Sequence, residues 1–159
     1  MELPKELLTI LLAILPITEI RASIPIAISI YGLSPAAAFF WSVIGNIITT
    51  FFLLWCLSPA VNFLTKQDRW IKRLIDWIFQ RTRDKAVKKY LKYGQWALIL
   101  FVAIPLPGTG AWTGALIAFL FDIPKGRALV LITVGILLAA TLVTLVTLGT
   151  ISSINFFNL

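Results

Sequence analysis

The sequence predicts an all-α integral membrane protein. Its plan is an inverted repeat of a re-entrant helical hairpin followed by a transmembrane helix, the halves joined by a basic amphipathic interfacial helix. Three observations predict it. Of 159 residues, 59% are hydrophobic and 13% charged, against roughly 45–50% and about 25% in soluble domains, so charge is too scarce to cover a water-facing surface. The apolar residues gather in two long blocks, each interrupted once by a proline-bearing polar stretch. The formal net charge of +7 sits between them. One membrane domain accounts for the length, and apolar material is too plentiful for disorder.

Repeat one covers residues 1–60, with a hairpin over 7–33 and a span over 35–57. The arms LLTILLAIL (Leu7 to Leu15) and IAISIYGL (Ile26 to Leu33) flank a stretch from Pro16 to Pro25 that holds Glu19 and Arg21. As helices the arms are about 12–14 Å long, under half of a core about 30 Å thick. Two prolines and two charges argue against one straight helix, so the chain is expected to enter to mid-depth, turn and leave on the same side. Irregular backbone survives at that depth only where protein or a wet cavity covers it. Ser34 and Pro35 then supply an N-cap and a first helical residue for the span.

Residues 61–93 form the connector. Between Lys66 and Lys92 ten basic residues face three acidic ones, which is the whole net excess. Such a loop is expected to stay cytoplasmic. Thr65 and Asp68 read as a capping box. Trp70, Ile71, Leu74, Ile75, Trp77 and Ile78 then recur at helical spacing opposite Arg69, Lys72, Arg73 and Asp76, with Val87, Tyr90 and Leu91 continuing the pattern. A basic helix with two Trp residues suits a bilayer interface beside anionic lipid; a solvated connector is the plainer reading. Apolar flanks argue against nucleic-acid binding.

Repeat two, residues 94–159, restates the plan with a hairpin over 94–121 and a span over 124–151. Its break runs from Pro105 through Pro107, Gly108, Thr109 and Gly110 to Gly114, and Asp122 and Pro124 start the last helix. A shift of 89 positions lays Pro16 on Pro105 and Pro35 on Pro124, which suggests a duplication, chance matching being the alternative in so apolar a chain. With the basic loop fixed inside, the hairpins enter from opposite faces and both termini lie outside. Inverted repeats with broken mid-membrane segments are the architecture of secondary transporters, whose sites lie where the breaks meet.

Function is sought at the breaks. An ionisable residue at membrane depth is a functional hypothesis by default: Glu19 is placed to carry a proton and Arg21 to grip an anionic headgroup, unless the two merely pair and stitch the turn. Thr18 and Ser23 add hydroxyls beside them. In the second break Thr109, Thr113 and the backbone at Gly108, Gly110 and Gly114 face an anion or carbonyl, or else pack helices closely. Pro16, Pro25, Pro105 and Pro107 enforce the breaks and serve as hinges. Asn46, Thr133, Thr141 and Thr144 put polar groups in the spans, as a substrate path or as ordinary helix contacts. With no His and one Cys (Cys56), His/Cys metal sites, Ser-His and Cys-His catalysis and an intrachain disulfide are excluded. No enzyme activity and no cofactor are expected.

The stretches ILPITEIRASIPIAI (Ile14 to Ile28) and IPLPGTGAWTGALIA (Ile104 to Ala118) resemble the two signature segments of the small multidrug export family of bacteria and archaea, which is distantly similar to the DedA/VTT superfamily. The resemblance implies inverted re-entrant hairpins, a homodimer, and movement of a lipid or amphipathic small molecule across the cytoplasmic membrane by alternating access with proton coupling. Glu19 and Arg21 would match the acidic and basic positions of hairpin one. The second hairpin departs from DedA proteins, which carry arginines beside its Pro-Gly turn; here Ile104 and Thr109 to Ala111 offer none. A drug or cation exporter is the alternative transporter, and a non-transporting membrane scaffold the alternative from another class. Membrane lipids, a second copy and a small-molecule or lipid substrate are the expected partners, with no nucleic acid.

Overall fold

The computed structural model describes residues 3–67, 69–105 and 109–157. Among them run α1 (Lys5–Ile14), α2 (Glu19–Ser29), α3 (Pro35–Gln67), α4 (Arg69–Tyr93), a 3-10 turn (Gly94–Trp96), α5 (Ala97–Ala103), α6 (Ala111–Leu120) and α7 (Lys125–Phe157), with no strand among the described residues. Pro35–Val61 and Lys125–Ser153 are long and apolar enough to cross a membrane, with mean hydropathy 1.8 and 2.8. Both leave large apolar side chains uncovered, Phe52 64% on α3 and Val146 68% on α7. Water makes such surface costly, whereas acyl chains accept it without penalty.

The chain divides into two compact units, Met1–Ile48 with Ile136–Leu159, and Thr49–Gly135. In the first, α1 and α2 pack on each other and against the start of α3. Ala13, Ile20, Ile24, Ala27, Ala38 and Val43 are buried. Small residues let the backbones approach: a Cβ on Gly45 of α3 would stand 2.7 Å from Ala13 Cβ and 2.8 Å from the Ile10 carbonyl oxygen. The expected start of the span is present, with the Ala37 amide donating to Ser34 Oγ at 3.2 Å and Pro35 at the first helical position.

In the second unit α5 packs on α6, and α4 lies against both. Leu98, Val102, Ala111, Ala115, Ile117, Ala118 and Ile132 are buried. The glycine seat recurs: a Cβ on Gly135 of α7 would stand 2.6 Å from Val102 Cβ and 3.0 Å from the Ile99 carbonyl oxygen. Ile10 and Ala13 precede Ile99 and Val102 by 89 positions, and Gly45 precedes Gly135 by 90. Each helix that ends at a break is therefore held by the same kind of backbone approach to a glycine of the long helix in its unit.

The element boundaries differ from the sequence expectation in four places. The first break is only Leu15–Thr18, and Pro25 lies inside α2. Its ring deprives the helix of one amide donor without ending it, which is tolerated where neighbouring helices cover the freed backbone. The second break ends at Gly110, so Ala111 to Gly114 are helical. α3 continues past the expected Leu57 to Gln67, with Pro59 inside it, so Thr65 is helical rather than the cap of α4; Asp68 lies outside the described residues. α7 likewise starts at Lys125 and runs past Ile151 to Phe157.

Gly45→Ala and Gly135→Ala are each expected to lower stability by about 1–3 kcal/mol or more, since backbone must move to admit the methyl group. Gly149→Ala, which meets nothing within 4 Å, should be neutral or slightly stabilising. Thermal unfolding in detergent, followed by circular dichroism, ranks the three.

Candidate functional site

A helix that stops in an apolar setting leaves its last carbonyls without partners. At the first break these are met by side chains. Thr18 Oγ1 donates to the Leu12 carbonyl, and Asn46 Nδ2 reaches from α3 to the Ala13 carbonyl at 3.0 Å, with a second contact to the Ser42 carbonyl at 3.3 Å. The Glu19 amide donates to the Leu15 carbonyl at 3.0 Å. Between them Pro16 is exposed and Ile17 stands 91% exposed, so the turn itself faces outward.

Glu19 opens α2 and is 4% exposed. Its φ of 41° is uncommon for a residue with a Cβ and costs on the order of 1–3 kcal/mol. A negative side chain in the first turn meets the positive end of the helix dipole. Arg21 Nη2 lies 3.9 Å from Glu19 Oε2, the two side chains being 26% and 6% exposed. That distance is an ion pair. The acid is thus enclosed while its base is half-open. One turn further on, Ser23 Oγ donates to Ser42 Oγ at 2.8 Å in the buried face between α2 and α3, a helix-joining contact.

At the second break α5 ends at Ala103, and Thr109 Oγ1 donates to the Ile104 carbonyl at 2.7 Å, as Thr18 does at the first. Gly110 has φ 112° and ψ −166°, a region open essentially to glycine, and its carbonyl takes the Gly114 amide at 2.8 Å. Pro105 is exposed within the break; Pro107 and Gly108 lie outside the described residues. Gly114 sits on α6, where a Cβ would stand 2.7 Å from Val102 Cγ2, so it packs helices rather than breaking one. Thr113 is half-buried on the same helix, and Thr133 is half-buried on α7. Thr141 and Thr144 donate to the carbonyls of Leu137 and Ala140 at 2.9 and 2.8 Å, bonds internal to their own helix.

A second feature gave no sequence signal. In the Thr49–Gly135 unit, Leu54, Leu57 and Ser58 of α3, Ala115, Ala118 and Phe119 of α6, and Asp122 to Lys125 line an open cavity of about 230 Å³. Asp122, whose φ is also positive at 50°, ends α6 in a Schellman arrangement: its amide donates to the Phe119 carbonyl and that of Ile123 to the Ala118 carbonyl. Lys125 Nζ stands 5.9 Å over the Trp55 ring, which stacks on Phe51 at 4.4 Å. The lining is largely apolar and includes an acid and a base. The residues involved lie on separate segments, so no local spacing announces them. The pairing of Asp122 with Pro124 reads from sequence only as a helix start.

Asn46→Leu removes the donor to the Ala13 carbonyl and is expected to destabilise the protein by about 1–3 kcal/mol. Thr141→Val, at an exposed back-bonded position, should stay within about 0.5 kcal/mol. Denaturation of the two variants in the same detergent compares them.

No curated protein and no solved structure matches this chain. Residues 19–142 match the family model described as "putative small multi-drug export protein". That stretch starts at the buried acid of the first break, includes the second break and the cavity, and covers well over half of the sequence, so the chain belongs to this export-protein family.

Proposed function

We propose that this protein is a small transporter that moves an amphipathic small molecule across the cytoplasmic membrane by alternating access, with Glu19 as its exchange site. The observation that carries the reading is an acid buried to 4% at a helix break, on strained backbone, beside a half-open Arg21. An ionisable side chain kept at such a place is costly unless used, and strain of this kind gathers at functional positions. Proton coupling follows from a carboxyl that changes charge as the path opens to either side. The two breaks then act as re-entrant hairpins of opposite orientation, with the basic connector cytoplasmic and both termini outside. A homodimer covers the apolar flanks.

The family description favours a drug-like substrate, and the cavity supports that over a whole lipid. At about 230 Å³ the cavity is smaller than drug-sized ligand pockets of about 300–1,000 Å³, which suits a compact molecule rather than a lipid, with its apolar part against Leu57 and Phe119 and its charged end at Asp122 and Lys125. Lipid movement is the second reading, favoured by the apolar surface around the spans. A scaffold without transport would need neither the buried acid nor the cavity.

Proteoliposomes with an imposed pH gradient test this directly. Wild type should move a lipophilic cationic dye, and Glu19→Gln should lose nearly all gradient-driven flux while inserting at normal abundance. Arg21→Ala should reduce it, and Asp122→Asn should weaken apparent affinity. Fluorescent phospholipid scrambling in the same vesicles separates the lipid reading. Wild-type flux no greater than that of empty vesicles would support a scaffold, and lower abundance with flux per molecule unchanged in Glu19→Gln would make the acid structural; either outcome defeats the proposal.

A further inference from the structure

Sequence periodicity gives α4 one apolar side, but the structure divides that side in two. Ile75, Phe79, Thr82 and Ala86 recur at i, i+4, i+7 and i+11 and turn inward: Ala86 is fully buried, the other three are half-buried, and the Phe79 ring lies 5.6 Å from that of Phe119 on α6. This stripe docks α4 on the α5/α6 pair. A second part of the apolar side is open. Leu74, Trp77 and Ile78 are 58%, 55% and 37% exposed, and by the 100° step of a helix they fall on one flank. Arg81 shares that flank, its guanidinium 5.3 Å above the Trp77 ring. The other flank is polar, with Lys72, Arg73, Asp76, Gln80 and Arg83 exposed along it.

We propose that the Leu74/Trp77/Ile78 flank of α4 is a docking site for an anionic lipid surface, inserting its apolar side chains among acyl chains while Arg81 and the neighbouring cations hold phosphate headgroups. Three observations choose this occupant. Charge complementarity is the first: the whole +7 of the protein lies between Lys66 and Lys92, and each surface cation near anionic lipid strengthens attachment. Continuity is the second, because α4 begins two residues after α3, whose stretch Pro35–Val61 is fit to cross the bilayer; the helix therefore starts close to a membrane face. The third is chemical: an exposed Trp under a guanidinium, beside two aliphatic side chains, is amphipathic in the sense an interface requires. The inward stripe anchors the helix to α5 and α6, so lipid composition acts on the helix pair that carries the second break. The proposal rests on membrane placement and stands or falls independently of transport.

The test uses the full chain, with Cys56→Ala and a single new cysteine at Leu74 or at Gln80, labelled with an environment-sensitive fluorophore. It is reconstituted in phosphatidylcholine vesicles with and without phosphatidylglycerol, and with bromine on the acyl chains. Bromolipid should quench the Leu74→Cys label strongly and the Gln80→Cys label weakly, and phosphatidylglycerol should deepen the difference. In those vesicles Arg81→Gln should shift the docked-to-undocked ratio about fivefold toward undocked, with Arg81→Lys restoring it. Both probes occupy exposed positions, and unchanged circular dichroism verifies the fold of every variant. Equal quenching at the two positions would overturn the proposal. So would a Leu74 label in an apolar environment that bromolipid cannot reach, which would mean that protein covers the flank, or quenching indifferent to phosphatidylglycerol.

Discussion

The structure depends on one constraint: a helix interrupted in an apolar setting must find partners for the carbonyls it leaves open. Each unmet carbonyl would cost several kcal/mol where water is absent. Both breaks meet the demand with a threonine hydroxyl folded back to the preceding helix end, Thr18 to Leu12 and Thr109 to Ile104. The first adds Asn46 from the long helix beside it. Residues that look like a substrate-binding set are thus first of all the chemistry that lets the chain break. Glu19 stands apart because it is a charged residue buried to 4% on strained backbone, with φ 41°.

Close approach of helices follows from the same constraint. A side chain on α3 can reach a carbonyl of α1 only if the two backbones nearly touch, and Gly45 permits that approach. Gly135 does the same for α5 and α7. The seat recurs at an offset of 89 to 90 positions, close to the 89 that lays Pro16 on Pro105. Small residues where helices meet and large apolar ones turned outward follow from an environment in which packing, rather than exclusion of water, joins helices.

Much of this was legible in the sequence, and the limits have physical causes. Composition and the length of the apolar runs identified both long helices, and Ser34-Pro35 marked the start of one. The breaks were located but drawn too long, because Pro25 and the Ala111–Gly114 stretch carry residues that discourage helices in water while neighbouring helices sustain them here. The capping box at Thr65 failed because α3 continues through it. Local pattern showed that α4 is amphipathic, yet it could not show that Phe79 and Ala86 face protein while Trp77 does not. The cavity was invisible for a similar reason: its walls come from α3, α6 and the turn before α7. Glu19 and Arg21 stood out as isolated charges, but burial of one and exposure of the other are tertiary facts.

On the last helix, Thr141, Thr144, Thr147, Thr150 and Ser153 follow one another every third position, and each hydroxyl bonds the carbonyl four residues earlier. A step of three advances 300° on an α-helix, so the five hydroxyls spread over about 240° of the circumference instead of forming a stripe. Since every one is satisfied within the rod, none of the five presents a bare donor to hydrocarbon at any orientation about the long axis. Axial rotation of this segment therefore carries no hydrogen-bond penalty from these five groups, a freedom that a polar face of the ordinary kind would forbid.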